Sequence, residues 1–480
     1  MTGVIRRQFL HVQVNGTESD ALELEKTLPG LCRNGLTPAI ERAMEHGAPL
    51  TGHLCIDRLE IDAGTVDLDK LEHDLSEAVA QKLEKVLRAQ SSPEDTRSSP
   101  MAGKFQHKTE QRYITEALVH FLTTGSLPWS FRLPKESSLE QVMLNSWQEQ
   151  KSLGSIPDAA RDAVLLTLAS STARARLTRQ FSPLFRETLL SVVSPEASQI
   201  IGRVKQALSG ATVPATSEAK CLERQLWETM FAEVAAGRNP RARHLVSRTW
   251  AALPDAAKEN AELKRVLEAS WRDVTGNGRP TVSLTRVAQT MNAVAAESAS
   301  EYGSAESFPG GDPDIEEGGV YIENAGVILL HPFLPQLFGT LGIAAEEEIL
   351  QPERALGLLH FLTTGQMIAP EYELMLPKIL CNLPLETPVD SEVTFTAGEQ
   401  EEAVALLEAV IDHWAALRNT SPDALRGTFL LRPGKISLRD GDWLLQVESN
   451  SVDLLLELLP WGISPIKLPW MEKMLWVEWR

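Results

Sequence analysis

Along the first ninety positions the apolar residues switch between a period of two and a period near 3.6. Leu10, Val12 and Val14 alternate, which predicts a strand over residues 4–14 that Gly16 ends. Leu22, Leu24, Leu28 and Leu31 then fit one helical face, weakened at its end by Pro29-Gly30, and a second helical turn is expected from Pro38 to Met44. Leu54 to Asp62 alternates again, with a parity change near Asp57, before Gly64 and a helix through Leu87. The expected unit is a small α/β domain over residues 1–90.

Residues 91–110 are rich in Ser, Pro and charge and carry no periodicity, so a linker is expected there. From 111 to 293 short helical patterns follow one another. The clearest is Leu222, Leu226, Trp227, Met230, Phe231 and Val234, which Gly237 and Pro240 stop. Helix pairs packed as a bundle or short solenoid are expected. Residues 294–319 are small, acidic and Gly-rich and form a second expected linker.

Residues 320–480 mix both periods. Thr396 and Glu399 can form a capping box ahead of a helix with Val404, Leu407, Ile411 and Trp414 on one face, which Asn419-Thr-Ser-Pro stops. Ser421-Pro422 is an N-cap followed by proline at the first helical position. Lys435–Leu438 and Trp443–Glu448 flank Arg-Asp-Gly-Asp, a hairpin signal. A helix over Ser451–Leu459 and a final strand at Leu475–Trp479 complete an α+β domain. The fold class is therefore α+β and multidomain, predominantly helical, with an all-α middle.

Two short sequences recur. His120-Phe-Leu-Thr-Thr-Gly125 is repeated as His360-Phe-Leu-Thr-Thr-Gly365, each after an apolar helical pattern and with Gly where a helix would end. Thr hydroxyls and Gly at such an end satisfy the terminal carbonyls. Leu-Pro-Trp occurs at 127–129, 459–461 and 468–470, where proline forces its predecessor out of the helical region and Trp can anchor the turn in a core.

Composition narrows the function classes. The chain has 480 residues, 43% of them hydrophobic, and a net charge of −19, which repels phosphate backbones and anionic lipid. No nucleic-acid or membrane role is expected. Cys32, Cys55, Cys221 and Cys381 are too scattered for a disulfide framework or a paired metal knuckle, and a reducing cytoplasm suits them. The N-terminus has no apolar run like that of a signal peptide, and Val327–Leu341, interrupted by His331, Pro332 and Pro335, is too short to span a bilayer.

The candidate motifs for chemistry have structural readings. Gly103-Lys104 and Gly276-Asn-Gly278 lack the remaining residues of a nucleotide loop, and there is no His-Glu-x-x-His or Gly-x-Ser-x-Gly. His53, Cys55 and Asp57 alternate and could ligate a metal, yet a packed Cys beside a solvated His and Asp explains them as well. Asp57, Glu60 and Asp62 invite an acid/base pair, but Glu60 and Asp62 match the wet face of a half-buried strand, and Glu346-Glu-Glu348 a solvated helix start. His120 and His360 fit structural contacts at the repeated helix ends, and Arg238, Arg241, Arg243 and His244 fit a charged surface. No catalytic, cofactor or metal residue is assigned.

Six of the eleven tryptophans fall in the last 67 residues. Most suit the core of the last domain. Trp476 alternates out of phase with Leu475 and Val477, and it and Trp479 are the candidate partner-binding residues.

The segments Glu323-Asn-Ala-Gly-Val-Ile-Leu-Leu-His-Pro-Phe-Leu-Pro-Gln-Leu-Phe338, Pro370-Glu-Tyr-Glu-Leu, Lys378-Ile-Leu-Cys-Asn-Leu-Pro-Leu385 and Leu459 to Trp470, closing on Val-Glu-Trp479, resemble the tape-measure proteins of contractile injection systems, which are phage-tail-like particles. Ile5-Arg-Arg-Gln and Asp57-Arg-Leu-Glu-Ile-Asp62 extend the resemblance to the N-terminus, and it is weakest between about 130 and 300. It implies an assembly factor for the inner tube that helps set its length, with tube, baseplate and cap proteins as partners and no catalytic residues. The expected location is the cytoplasm during assembly, with the interior of the finished particle as the second.

A literal ruler must be long. One continuous helix of this chain would reach about 720 Å at about 1.5 Å per residue, whereas a compact body has a radius of gyration of about 23 Å. The 28 prolines and the absence of sustained heptads favour folded domains. The alternative is therefore a helical adaptor or chaperone that binds tube, baseplate or cargo proteins without measuring length.

Overall fold

The structure, a computed structural model, describes residues 5, 8–47, 53–56, 58–67, 70–90, 105–134, 137–151, 158–209, 217–238, 241–260, 265 and 319–479. Most of both expected linkers, 91–104 and 294–318, lies outside them. The architecture is predominantly helical α+β. Its contacts divide the chain into two units, Met1–Glu116 with Trp129–Arg132, and Ala117–Pro128 with Leu133–Arg480.

In the first unit, α1 (Glu18–Leu31) starts with a Thr17–Asp20 capping box and continues through one π-helical turn into α2 (Thr37–Gly47), so Pro29 does not break it. The helix α3 (Leu71–Gln90) packs on α2, and Leu31, Leu36, Ile40, Leu75, Val79 and Leu83 form the core. The strand β1 (His53–Ile56) pairs antiparallel with β2 (Phe105–Lys108), whose residues end the stretch read as the first linker.

Two expectations are corrected here. Contrary to the alternation, residues 8–15 form no strand and leave Phe9, Leu10 and Val12 exposed, and among the described residues no second strand pairs with them to supply a hydrogen-bonded ladder. The alternation after Leu54 is genuine, since Leu59 and Ile61 pack on the core. Among the described residues the strand covers His53–Ile56 only, and residues 58–62 are not in strand conformation.

The second unit begins with the end of α4 (Glu110–Thr124) and continues as α5 (Leu139–Lys151), α6 (Asp158–Thr167), α7 (Ser171–Gln180), α8 (Pro183–Val193), α9 (Pro195–Ser209), α10 (Ser217–Ala235), α11 (Ala242–Ala252) and α12 (Asp255–Glu259). Local signals place these helices. Ser182 caps α8 by accepting from Phe185 N, with Pro183 in its first turn. All six apolar residues of the α10 stripe are buried, and Phe185 stacks on Phe181 at 4.2 Å.

Farther on, β3 (Val320–Ile322), β6 (Gly434–Arg439), β7 (Asp442–Val447) and β8 (Leu475–Trp479) form a sheet in the order β3-β6-β7-β8. The β6–β7 hairpin turns on Asp440 and Gly441, both with positive φ, and β8 runs parallel to β7. A two-residue ribbon, β4 (Ala344–Ala345) with β5 (Glu348–Ile349), precedes the helices α13 (Pro352–Thr364), α14 (Met375–Leu380) and α15 (Ala397–His413).

The expected Thr396–Glu399 box caps α15, with Thr396 N donating to Glu399 Oε2 at 2.7 Å. Where a helix is expected over Ser451–Leu459, a 3₁₀ segment forms over Ser451–Leu458 with none of its residues fully buried. It is eight residues long and is followed by Pro460, so it has little length in which to build an α-helical ladder. Trp414, Trp461 and Trp470 donate their indole N–H groups to the carbonyls of Leu455, Leu329 and Leu380, which anchors two of the Leu-Pro-Trp turns in the core.

Candidate functional site at two matched helix ends

The repeated hexapeptide folds twice into the same helix end. Gly125 and Gly365 take φ of 84° and 75°, and their N–H groups bond the carbonyls of Phe121 and Phe361, each at 2.8 Å. Thr124 and Thr364 hydroxyls donate to the carbonyls of His120 and His360 and accept from the next backbone N–H, of Ser126 and Gln366. Each end is also clasped by an arginine. Arg176 Nη1 donates to the Leu122 carbonyl at 2.6 Å, and Arg426 Nε to the Leu362 carbonyl at 3.0 Å. Orphan carbonyls at a helix terminus carry partial negative charge, so a buried cation suits both.

One turn, Glu371–Glu373, serves both ends. The Glu371 carboxylate accepts from Arg176 Nε at 2.9 Å and from Lys378 Nζ at 2.7 Å. Tyr372 sets its ring against the edge of Phe121 at 5.8 Å, and Glu373 Oε2 meets His360 Nε2 at 2.8 Å. Lys378 spends its other two donors on the carbonyls of Leu385 and Thr387, and Arg176 Nη2 donates to the Glu386 carbonyl. The side chains of Arg176, Glu371 and Lys378 have no solvent exposure.

Two cations therefore share one carboxylate. Burial depresses the Lys378 ammonium below the ordinary lysine range, and the adjacent Glu371 charge opposes that shift. Burial pushes the Tyr372 phenol above its usual value. Each nitrogen of Arg176 and all three donors of Lys378 make hydrogen bonds within the protein, and both side chains are closed to solvent. The network is a structural clasp.

Gly125 sits against this clasp: a Cβ there would lie 2.6 Å from Glu371 Oε1 and 3.1 Å from Arg176 Nη2, whereas at Gly365 the nearest atom would be 3.5 Å away. Both positions carry the strain of positive φ, so Gly365→Ala is expected to cost about 1 kcal/mol. Gly125→Ala should cost several-fold more, because it also pries a carboxylate from two buried cations. Urea unfolding of the two variants checks the order, and equal losses would remove the clasp from the explanation.

The other sequence candidates separate. His53 stacks on Tyr113 at 3.9 Å and burial lowers its pKa, Cys55 is half-buried, and Asp57 lies outside the described residues. Among the described residues no group of three or more His, Cys, Asp or Glu is placed to hold a metal. Glu60 pairs with Arg58, and Asp62 accepts from Gly64 N. Glu346–Glu348 is not a helix start: it turns the β4–β5 ribbon, with Glu346 at φ 52°. Arg238 pairs with Glu233, and His120 contacts the Ser126 hydroxyl.

Trp476 lies on the open face of the sheet, 36% exposed, between buried Leu475 and Val477. Arg439 sits 6.0 Å from its ring centroid and donates to Glu478, whose other carboxylate oxygen accepts from Gln446. Trp479 is half-buried, with its indole N–H on Asp453 Oδ2 at 3.1 Å and Arg432 over the ring. Arg176 and Arg426 gave no signal in the sequence. Glu371 and Lys378 fall inside segments already singled out, but nothing local marks them as partners.

Compared with protein families, the chain matches the model of the contractile injection system tape measure protein over residues 2–479. The chain belongs to that family. The match takes in both helix ends, the clasp and the Trp476 strand, so the tape measure family's sequence pattern runs through the whole described architecture. Comparisons with curated proteins and with solved structures give no match. Among the described residues, no helix of this tape measure protein is long and apolar enough to cross a membrane.

Proposed function

We propose that this tape measure protein works entirely by binding, without bond-making of its own, during assembly of the inner tube. Its partners in this reading are the tube, baseplate and cap proteins of the particle, met in the cytoplasm during assembly and then within the particle. The observation that carries the reading is the family match across nearly the whole chain. The closed clasp supports it, since the most strongly buried charges have their hydrogen bonds engaged internally. Trp476 is the proposed anchor for a partner, with Trp479 the second candidate, because a partly exposed Trp flanked by Arg gives large contact area at low entropic cost.

In-frame deletions within residues 133–260, followed by electron microscopy of tube lengths, test the role. Shortening in proportion to the deletion is the expected result for a ruler, and unchanged lengths in normal particles would overturn measurement. A second reading, a helical adaptor or chaperone, is favoured by the succession of short helices α5–α11, among them α8 with its Ser182 cap and α10 with its buried apolar stripe. It predicts that the same deletions abolish particles outright. For the anchor, Trp476→Ala should weaken capture of purified tube or baseplate protein by about tenfold or more while leaving thermal stability nearly unchanged. Undiminished capture of both would remove Trp476 from the interface.

A further inference from the structure

The second unit contains a seam. The apolar cluster formed by residues 320–477 draws, among the described residues, on no side chain from the preceding helices. The two sides meet largely through polar groups. Beside the Arg176–Glu371 pair, Gln180 accepts from Glu371 N and donates to the Val389 carbonyl, each at 2.8 Å. The Arg179 carbonyl accepts from Ser391 N, and Arg179 Nη1 donates to the Pro388 carbonyl and to Glu353. Arg224 Nη2 reaches both carboxylate oxygens of Asp390 at 2.8 and 2.9 Å. The Phe121–Tyr372 edge contact is the one aromatic pair that crosses it among the described residues.

Such a joint differs from a shared apolar core. Charged and amide groups released from it are rehydrated, so parting costs far less than exposing buried hydrocarbon, and both cores survive. At its rim the Arg224–Asp390 and Arg179–Glu353 pairs are partly exposed to solvent. The geometry points to a conformational device: we infer that the helices α5–α11 and the 320–479 body separate along this seam as folded pieces, with the Arg176–Glu371–Lys378 clasp as the latch. This inference does not depend on which particle protein is bound, because it concerns the isolated chain.

Two backbone amides report on the latch directly, since Glu371 N and Ser391 N are bonded across the seam. Native-state hydrogen exchange of the full chain, read by mass spectrometry, compares peptides spanning 369–375 and 387–393 with peptides from α10 and α13. The expected result is faster exchange of the seam peptides than of the two core helices, and a further acceleration of about tenfold in Arg224→Gln or in high salt, confined to the seam. Seam peptides that exchange only as slowly as α10 and α13, or an Arg224→Gln variant that accelerates all four together, would overturn the inference. Because no particle protein is present, failure here is distinguishable from failure of the tube-assembly reading.

Discussion

Gly326→Ala should be the most damaging single methyl in the described chain, with an expected loss of about 4 kcal/mol or more and accumulation as insoluble protein. Gly326 lies in the buried 3₁₀ turn Ala325–Leu330, where its α-carbon passes against the segment Phe429–Leu430. A Cβ would overlap the Phe429 carbonyl and sit 2.8 Å from Leu430 Cα. Both obstacles are backbone, so no rotamer change relieves them. Their surroundings are equally fixed, because Ala325 N bonds the Arg432 carbonyl at 2.9 Å and a Cβ on Gly434 would lie 2.7 Å from the Ala325 Cβ. Gly339→Ala is the matched control. It is a helical glycine with nothing within 4 Å of its added Cβ, and it should leave stability unchanged or raise it by about 0.5 kcal/mol. Thermal unfolding followed by circular dichroism compares the two, and near-native stability of Gly326→Ala would refute the close approach.

Glu371→Gln should cost about 3–5 kcal/mol, since it leaves Arg176 and Lys378 buried beside each other with only carbonyls and an amide as partners. The cost belongs to the stranded cations, and the pair itself contributes less. Replacing all three side chains together, as Arg176→Met, Glu371→Leu and Lys378→Met, should therefore recover most of the loss. Urea unfolding of the single and triple variants tests this. A loss below about 1 kcal/mol in Glu371→Gln would mean that the charges are reached by water.

A feature is legible in the sequence when its partners lie close together along the chain. The Thr396–Glu399 box, the Ser421-Pro422 start, the Asp440-Gly441 turn and the final strand were all legible, because their determinants sit within a few residues of one another. Trp476 was placed on the open face by alternation alone. Where alternation misled, at residues 8–15, no strand among the described residues pairs with them, and no local pattern can supply one. The Glu346–Glu348 stretch misled for the opposite reason: three acids suit a helix start, but a two-residue ribbon gave their backbone a nearer set of partners.

The chain's own order of residues determined that the hexapeptide would end a helix twice, that the protein would be mostly helical with a late hairpin, and that its two ends resemble tape measure proteins. Only the tertiary structure decided that Arg176 would meet Glu371, 195 residues away, and that one turn would clasp both helix ends. The physical reason is that capping and periodicity are short-range effects carried by adjacent groups. A buried charge must instead find its counterion wherever folding brings one, because leaving it alone in an apolar interior costs more than either segment's local preference.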